Sequence, residues 1–323
     1  MPIPHARSEF ELIKQLGATA QNGGGMNSGI YLVKHKKTKK LYIEKRIDPH
    51  HIKNGCAARE VSAMIQFHSY PYIIRYKSHD LDYRKLGYGS IFMQRCELGS
   101  LEDLIRRYQA KKEYLADEGF LWKVLFDGSL AICYMNTGAD VKTARRRAGK
   151  GQNVKLVAGW NPRIHRDIKP GNLFVSDDDV PGADKAQFPT IIFGDFGIST
   201  SYEDIASGRS KQHAHSGCTP AFAPPESPKY NERGDIYMLG LVIHCLARMS
   251  TTPDLKHHSA LSTRYKDENL RNVVKECLLS DPAKRPAPEN LPAVVWKGYR
   301  EWRKEKGNDG KKLPKWALPS KGS

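Results

Sequence analysis

The sequence predicts an α+β fold in which a group of strands precedes a group of helices. Up to about residue 94, apolar and polar residues alternate in short runs, as they do in half-buried strands. Beyond that point the apolar patterns lengthen, and the segments 119–134 and 234–249 are apolar enough to be buried helices. With 323 residues, of which 39% are hydrophobic, the chain can form one large or two small domains with a substantial core.

The composition restricts the classes of protein to which the chain can belong. Lys and Arg outnumber Asp and Glu by 52 to 35, and the net charge of +17 favours acidic partners: nucleotide phosphates, acidic peptides, anionic membranes or nucleic acid. The six cysteines include no CxxC pair and no His at metal-ligand spacing, so we expect reduced thiols rather than disulfides or a zinc site.

Neither a signal peptide nor a membrane span is predicted. The N-terminal stretch 1–11 lacks the apolar core of a signal peptide. The longest apolar run, 236–247, is shorter than the roughly 20 residues that a bilayer requires. We therefore expect a soluble protein that is cytoplasmic, nuclear or both, with no membrane association.

Two strand patterns joined by a glycine-rich stretch open the chain. Residues 10–16 and 30–33 alternate as strands do, and five glycines lie between them, at positions 17, 23, 24, 25 and 29. Because glycine has no side chain, its backbone N–H groups can approach a phosphate closely. Taken alone, the stretch is better explained as a flexible surface hairpin, but the motifs further along the chain favour a phosphate-covering loop.

The next segments predict the rest of a five-stranded sheet and one helix. Residues 41–47 form the third strand and carry Lys45, and Glu60 follows in the helical pattern 57–67. Lys45 and Glu60 are natural partners for an ion pair, although isolated Lys and Glu residues are more often solvated surface charges. The pair Ile73-Ile74 and the run 90–93 complete the predicted sheet.

Two short motifs carry the chemistry. The segment 164–174, IHRDIKPGNLF, places Asp167, Lys169 and Asn172 on one loop before an apolar run. The segment 194–199, GDFGIS, places Asp195 directly after a strand pattern, so a second carboxylate can face the first. A carboxylate near a hydroxyl nucleophile, with a further carboxylate and an amide oxygen for a metal ion, is what phosphoryl transfer requires.

These residues resemble the motifs of the eukaryotic protein kinases. Further matches follow in the family's order: Thr219, Pro220, Pro225, Glu226, Asp235 and Arg285. The resemblance implies a kinase domain over 8–303, with an antiparallel-sheet N-lobe of about 8–94 that has one main helix, a larger, mainly helical C-lobe of about 97–303, and nucleotide in the cleft. Lys169 and Thr219 indicate the serine/threonine class, and HRDIKPGNLF is most similar to the never-in-mitosis-related group.

The resemblance also implies a role for each site residue. Asp167 would accept the proton of the substrate hydroxyl, and Lys169 would neutralise charge on the transferred phosphoryl group. Asn172 and Asp195 would hold Mg²⁺, while Lys45, fixed by Glu60, would bind the α- and β-phosphates of ATP. Further ATP contacts are expected from the glycine loop, the adenine roof, the gatekeeper, the hinge and the floor, namely Gly23, Gly25, Ser28, Ile30, Ile43, Met93, Gln94, Cys96 and Phe174.

The predicted function is transfer of the γ-phosphoryl group of Mg-ATP to a Ser or Thr of a protein substrate, and two alternatives stay open. Ser28 stands where the glycine loop has its third glycine, and Ile43 and Pro224 each replace an alanine of the family. These departures favour a pseudokinase that acts as a binding scaffold. A small-molecule phosphotransferase would share the lobes and the Mg²⁺ chemistry, but the Pro225-Glu226 motif belongs to a peptide-binding lobe.

Three segments fall outside the family's core pattern. The basic insertion 138–161, charged mainly over 142–155, is a nuclear-localisation or nucleic-acid patch or, as charge runs usually are, a solvated loop. The acidic triple 177–179 lies in a second insertion and is interpreted as solvated. The tail 304–323 is basic and rich in Gly and Pro, so we expect disorder there.

Control by phosphorylation is a further expectation. In the family, an Arg at the place of Arg166 helps to bind a phosphate on the activation segment, here 195–226. Candidate acceptors in this segment are Ser199, Thr200, Ser201, Ser207, Ser210 and Ser216.

Overall fold

A computed structural model of the chain describes residues 7–16, 27–178, 180, 188–211, 219–256, 261–307 and 310–319. It contains two compact units. The N-terminal unit comprises the chain up to Arg95 and Asp195–Ser199, and the C-terminal unit comprises Cys96–Gly194 and the chain from Thr200 onward. The first unit is built on an antiparallel sheet and the second is mainly helical, which confirms the predicted two-lobed α+β fold. The residue limits of the kinase domain stay a prediction.

The N-terminal unit contains one five-stranded antiparallel sheet, in the order β1-β2-β3-β5-β4, and two helices. The elements are β1 Phe10–Gln15, β2 Asn27–His35, β3 Leu41–Ile47, α1 Pro49–Lys53, α2 Cys56–Phe67, β4 Tyr76–Asp80 and β5 Gly89–Gln94. The ring of Phe10 stacks on that of Phe92, with centroids 4.0 Å apart, and both pack in a cluster with Val33. This contact joins the edge strand β1 to β5, an inner strand of the sheet.

The fourth strand lies further along the chain than the sequence predicts. The predicted strand was centred on Ile73 and Ile74, but β4 begins at Tyr76. Both isoleucines are buried, with 0% and 2% exposure, whereas successive side chains of a strand point to opposite faces. The isoleucine pair therefore lies in the irregular segment before β4 and packs into the core. In β4 itself the buried side chains alternate, with Tyr76 and Ser78 buried and Lys77 between them partly exposed.

The C-terminal unit contains helices and two small antiparallel sheets, which pair β6 with β9 and β7 with β8. The elements are α3 Leu101–Lys111, α4 Gly119–Thr137, α5 Val141–Gly149, β6 Arg163–Ile164, β7 Leu173–Ser176, β8 Thr190–Phe193, β9 Thr200–Ser201, α6 Tyr202–Ala206, α7 Glu232–Arg248, α8 Glu268–Cys277 and α9 Leu291–Lys306.

Helices α4 and α7 form the centre of this unit. Nearly every side chain of both helices is buried, as their apolar sequences predict. A Cβ atom on Gly128 of α4 would lie 2.7 Å from Leu239 of α7, which is too close for two carbon atoms, so this glycine allows the helices to pack directly. Within the described residues, no helix combines the length and the apolar character needed to cross a bilayer.

The basic insertion contains an ordered helix rather than only a solvated loop. Asp140 caps the N-terminus of α5, where its Oδ1 accepts the backbone N–H of Thr143 at 3.0 Å. Ala144 and Ala148, one turn apart, are buried, and α5 packs against α9. Two alanines give only a weak apolar pattern within a run of charged residues, so the sequence favoured a solvated loop over a packed helix.

The tail is also more ordered than predicted. Helix α9 continues to Lys306, and residues 310–319 return to α3. The Nε of Arg107 donates to the carbonyl of Ala317 at 2.7 Å, and the ring of Trp316 lies 4.7 Å from that of Tyr108. These contacts join residues about two hundred positions apart, so no local pattern could have indicated them.

Candidate active site

Asp235, in the first turn of α7, anchors the predicted catalytic loop, which lies within residues 164–174. Its Oδ2 accepts the backbone N–H of His165 at 2.7 Å, and its Oδ1 accepts that of Arg166 at 2.9 Å. Asp235 is fully buried, and burial raises the pKa of its carboxyl to about 7 although the two N–H groups favour the ionised form. Two bonds from one side chain fix the direction in which the loop leaves β6.

His165 ties the same loop to the second motif, and the sequence reasoning gave it no role. Its Nδ1 accepts the backbone N–H of Asp167 at 3.3 Å, and its Nε2 lies 3.1 Å from the carbonyl of Gly194. Together these bonds require a neutral imidazole that donates through Nε2. The N–H of Gly194 in turn donates to the carbonyl of Asn172 at 3.0 Å. The signal that could have revealed His165 is its place directly before Arg166-Asp167.

Arg166 adopts a left-handed backbone conformation, with φ of 72°. For a residue with a Cβ atom this conformation costs about 1–2 kcal/mol, and it persists only where neighbouring bonds hold it. The bond from its N–H to Asp235 is one such restraint. Its guanidinium Nη2 donates to the carbonyl of Lys211 at 2.9 Å, which links the loop to the predicted activation segment.

The carboxylate of Asp167 collects the other predicted residues of this loop. Its Oδ2 accepts from Nζ of Lys169 at 2.8 Å and from Nδ2 of Asn172 at 2.9 Å. Its Oδ1 accepts from the hydroxyl of Thr219 at 2.9 Å, and that hydroxyl also accepts from Lys169 at 2.7 Å. The sequence singled out Thr219 as a class marker, and the structure adds that it contacts the carboxylate directly.

Lys45 lies between two carboxylates within the N-terminal unit. Its Nζ is 2.7 Å from Oε1 of Glu60 and 2.7 Å from Oδ1 of Asp195. Burial disfavours the charged ammonium, but the charges of Asp195 and Glu60 outweigh burial and raise the pKa of Lys45. Burial also raises the pKa of Glu60, against the attraction of Lys45. The structure thus brings together the strand and helix residues that the sequence paired.

The donor atoms at the predicted metal ligands suit Mg²⁺, which prefers oxygen. The amide nitrogen of Asn172 donates to both the carbonyl and Oδ2 of Asp167, and this orientation leaves the amide oxygen as the atom that could bind a cation. Asp195 has a left-handed backbone, with φ of 61°, and a side chain that is 38% exposed. Asp177 and Asp178 of the acidic triple are exposed, and no group of three or more His, Cys, Asp or Glu residues suited to a metal occurs in the described part of the chain.

The residues predicted to bind adenine and phosphates occupy both units. Gly23 and Gly25 lie outside the described residues, whereas Ser28 and Ile30 lie on β2. Ile43 is paired with Met93 across β3 and β5, and it faces the same side of the sheet as Lys45, two residues on.

The predicted hinge and floor are placed by backbone bonds. The N–H of Gln94 already donates to the carbonyl of Arg75 at 2.9 Å, and Cys96 begins the C-terminal unit. Phe174, the predicted floor, forms an antiparallel bridge with Ser100.

Arg285 and Glu226, two of the residues that match the kinase motifs, form an ion pair. Two guanidinium nitrogens of Arg285 each lie 2.7 Å from a carboxylate oxygen of Glu226. The remaining three N–H groups donate to backbone carbonyls, those of Leu279, Arg233 and Ser280. Arg285 is fully buried, so the complete set of bonds offsets the cost of burying its charge.

The described hydroxyls of the predicted activation segment differ in access. Three of them, Ser199, Thr200 and Ser201, are almost fully buried. Ser207 is exposed and Ser210 is half-buried, while Ser216 lies outside the described residues. Ser210 is the residue before Lys211, whose carbonyl accepts from Arg166.

No protein-family model matches the chain. It is 27% identical over 238 residues to the G2-specific protein kinase nim-1 of Neurospora crassa, which covers 67% of the chain and 25% of that protein. It is 26% identical over 221 residues to the G2-specific protein kinase nimA of Emericella nidulans, covering 62% of the chain and 29% of that protein. It is 24% identical over 282 residues to human serine/threonine-protein kinase Nek2, covering 84% of the chain and 53% of that protein. The chain thus spans about half or less of the length of these three relatives.

Proposed function

Because this chain is a homologue of the serine/threonine protein kinases, we propose that it transfers the γ-phosphoryl group of Mg-ATP to a Ser or Thr hydroxyl of a protein substrate. The observation that carries the proposal is the arrangement around the Asp167 carboxylate. Lys169, Asn172 and Thr219 all donate to this one group, and it is 5% exposed. Such a fixed acceptor is what proton removal from a hydroxyl requires.

Asp167 acts as the proton acceptor in this proposal. The substrate oxygen bonds to the γ-phosphorus, the bond from phosphorus to ADP breaks, and the hydroxyl proton passes to the Asp167 carboxylate. Lys169 places a positive charge 2.8 Å from the same carboxylate, where it would attract the oxygens of the transferred group.

Lys45 binds the α- and β-phosphates in this proposal, and Glu60 holds its ammonium group in place. The side chain of Glu60 is 3% exposed, so water competes little for the ion pair. Asn172 and Asp195 would each offer oxygen atoms to the metal ion. When bound, Mg²⁺ supplies positive charge that neutralises the phosphates.

A binding scaffold without turnover is the second candidate, and Ile43 favours it. Its branched side chain lies on the face of β3 that carries Lys45, where the family has alanine. If this side chain fills the adenine site, the fold would remain without the chemistry.

One experiment separates these outcomes. The purified chain is incubated with Mg-ATP and a mixed peptide library, and phosphosites are read by mass spectrometry, with Asp167→Asn as the control. Phosphorylated Ser or Thr residues that depend on Asp167 support the proposal. Absence of calorimetric Mg-ATP binding at millimolar nucleotide, with binding restored in Ile43→Ala, supports the scaffold. Binding of Mg-ATP without any phosphosite overturns the proposed transfer.

A further inference from the structure

The basic insertion, residues 138–161, carries a charge that the proposed reaction does not use. Positions 141–160 contain six basic residues and no Asp or Glu, so they contribute six of the chain's 17 net positive charges. The six are Lys142, Arg145, Arg146, Arg147, Lys150 and Lys155. Such a density of like charge requires either free solvation or a partner of opposite sign.

Contacts to α4 hold the insertion in place. The indole Nε1 of Trp160 donates to the carbonyl of Met135 at 3.1 Å, and its ring lies 5.0 Å from that of Tyr134. At the other end Asp140 caps α5. An ordered insertion presents its charges in a fixed arrangement, so a partner loses less conformational entropy on binding than it would with a mobile loop.

The chain after α5 returns alongside the helix. At its C-terminal end, the N–H of Gln152 donates to the carbonyl of Arg147 at 2.9 Å. Five residues later, the N–H of Val157 donates at 2.8 Å to the carbonyl of Thr137, which precedes α5. The stretch 152–157 therefore runs antiparallel to α5.

One face of α5 is both basic and exposed. Lys142, Arg146 and Lys150 follow each other at intervals of four residues, so they line the same side of the helix and its C-cap, and all three are exposed. Ala144 and Ala148 occupy the buried side. Among the described residues, no carboxylate pairs with the three charged groups.

The returning stretch adds two exposed aliphatic side chains. Leu156 is 60% exposed and Val157 is 45% exposed, although the backbone of Val157 is bonded to α4. Lys155 precedes them and is exposed. Exposed basic and aliphatic groups therefore lie on two neighbouring antiparallel segments of one ordered insertion.

We propose that this surface, Lys142, Arg146, Lys150, Leu156 and Val157, binds an acidic segment of a protein substrate that also carries aliphatic residues. Carboxylates of the segment would face the basic side of α5, and its aliphatic side chains would cover the Leu-Val pair. The identification of the partner as a substrate rests on the proposed kinase function.

Two other anionic partners fit the surface less well. Single-stranded nucleic acid is usually held by exposed aromatic rings, but the one aromatic residue of the insertion, Trp160, is only half-exposed and its Nε1 is already bonded. A bilayer would require an apolar helix face, and α5 turns Ala144 and Ala148 toward α9 instead. Nucleic acid would leave the exposed Leu156 and Val157 unused, and a bilayer would find on the insertion these two exposed aliphatic side chains rather than an apolar helix face.

The insertion also leads directly to the predicted activation segment. It ends at Asn161, whose Nδ2 donates to Oε2 of Glu203 at 3.0 Å, and the backbone N–H of Glu203 donates back to Asn161 at 3.4 Å. Glu203 belongs to α6. A segment bound to the insertion would thus hold the rest of its substrate near α6.

Binding is measured by fluorescence anisotropy with a short labelled peptide in which acidic residues flank a Leu-Val pair. The triple variant Lys142→Gln, Arg146→Gln, Lys150→Gln should weaken binding roughly tenfold, since each exposed ion pair contributes modestly. The matched control neutralises three exposed lysines of the β2–β3 turn, Lys36, Lys37 and Lys40, and should change binding by less than about twofold.

A second pair of variants tests the aliphatic contact. Leu156→Ser with Val157→Ser should weaken binding roughly tenfold, whereas Leu86→Ser with Leu255→Ser, two leucines of similar exposure, should leave it unchanged. Equal weakening by both pairs, or by both charge variants, would show non-specific attraction and overturn the proposal. Tighter binding of a single-stranded oligonucleotide or of anionic vesicles would overturn it as well.

The role in substrate capture is tested separately. The acidic peptide is fused to a peptide that the chain phosphorylates. The fusion should lower KM for that substrate without changing kcat, and in the charge variant KM should not fall. Binding of the acidic peptide without a lower KM would refute the substrate assignment. Binding in a chain that phosphorylates nothing would count against the kinase function and leave the surface in place.

Discussion

Replacing Asp167 by Asn should abolish turnover while sparing the fold and nucleotide binding. The change puts an amide nitrogen in place of one carboxylate oxygen. If that nitrogen replaces Oδ2, it meets two donors, Lys169 at 2.8 Å and Asn172 at 2.9 Å. If it turns toward Thr219, the hydroxyl of Thr219 can accept from it, but the hydroxyl proton and the backbone N–H of Thr219 both lose Oδ1 as their acceptor. The second orientation costs about two hydrogen bonds, or roughly 1–3 kcal/mol of stability.

The loss in rate should be far larger than the loss in stability. Removing a positioned proton acceptor slows catalysis about 10²–10⁴-fold, or roughly 3–5 kcal/mol in the barrier. Turnover is measured on the peptide library, Mg-ATP binding by calorimetry, and folding by circular dichroism, with exposed Asp177→Asn as the control. Asp195→Ala, in contrast, should weaken the metal-dependent part of nucleotide binding. Full activity of Asp167→Asn would refute the assignment of the proton acceptor.

Four further outcomes follow from the contacts described above. Glu226→Ala should destabilise the C-terminal unit by about 3 kcal/mol in urea titrations, because buried Arg285 loses its carboxylate but keeps three carbonyl acceptors; no change in midpoint would contradict this. Phosphatase treatment should lower activity if Arg166, whose guanidinium contacts Lys211 of the predicted activation segment, binds a phosphate there; an active preparation with no phosphate by intact mass would contradict this. The KM for ATP should be high and should fall about ten- to a hundredfold in Ile43→Ala, because overpacking of the adenine site costs about 1–3 kcal/mol of binding free energy. An unchanged KM would show that the site accommodates Ile43 without this cost. Trp316→Ala should lower the stability by about 1 kcal/mol in thermal melts, the contribution of one aromatic pair, and no shift would show that the tail packs without that ring.

The parts of the site that the sequence predicted are those held by short-range geometry. Asp167, Lys169 and Asn172 lie within six consecutive residues, so one loop suffices to bring them together. Lys45 and Glu60 required only a strand followed by a helix. Thr219 was found through its Pro neighbour in a terminal motif, but its bond to Asp167 joins residues 52 positions apart and could not be read from spacing.

The parts of the fold that the sequence missed depend on burial. Ile73 and Ile74 have strong strand propensity, yet tertiary packing buries both and the strand forms later. In α5, the composition is dominated by four Arg and Lys residues, so it predicts a solvated segment. The two buried alanines are nevertheless enough for the helix to pack against α9. Strand propensity and charge describe an isolated segment in water, whereas the structure of residues 73–74 and of α5 depends on tertiary packing against the rest of the chain.

Backbone strain favours the enzyme over the scaffold. The described residues include five non-glycine positions with positive φ, of which Lys39, Lys112 and Met249 lie in a tight turn or at helix C-caps, where such geometry has a local cause. The other two are Arg166 and Asp195, one in each motif. Each stores about 1–3 kcal/mol, and a scaffold that only displays a surface gains nothing from holding these backbones in place. A catalyst benefits, because the strained backbones at Arg166 and Asp195 set the directions of the Asp167 and Asp195 carboxylates. At Arg166 the conformation is held by the buried carboxylate of Asp235, which accepts the backbone N–H groups of His165 and Arg166.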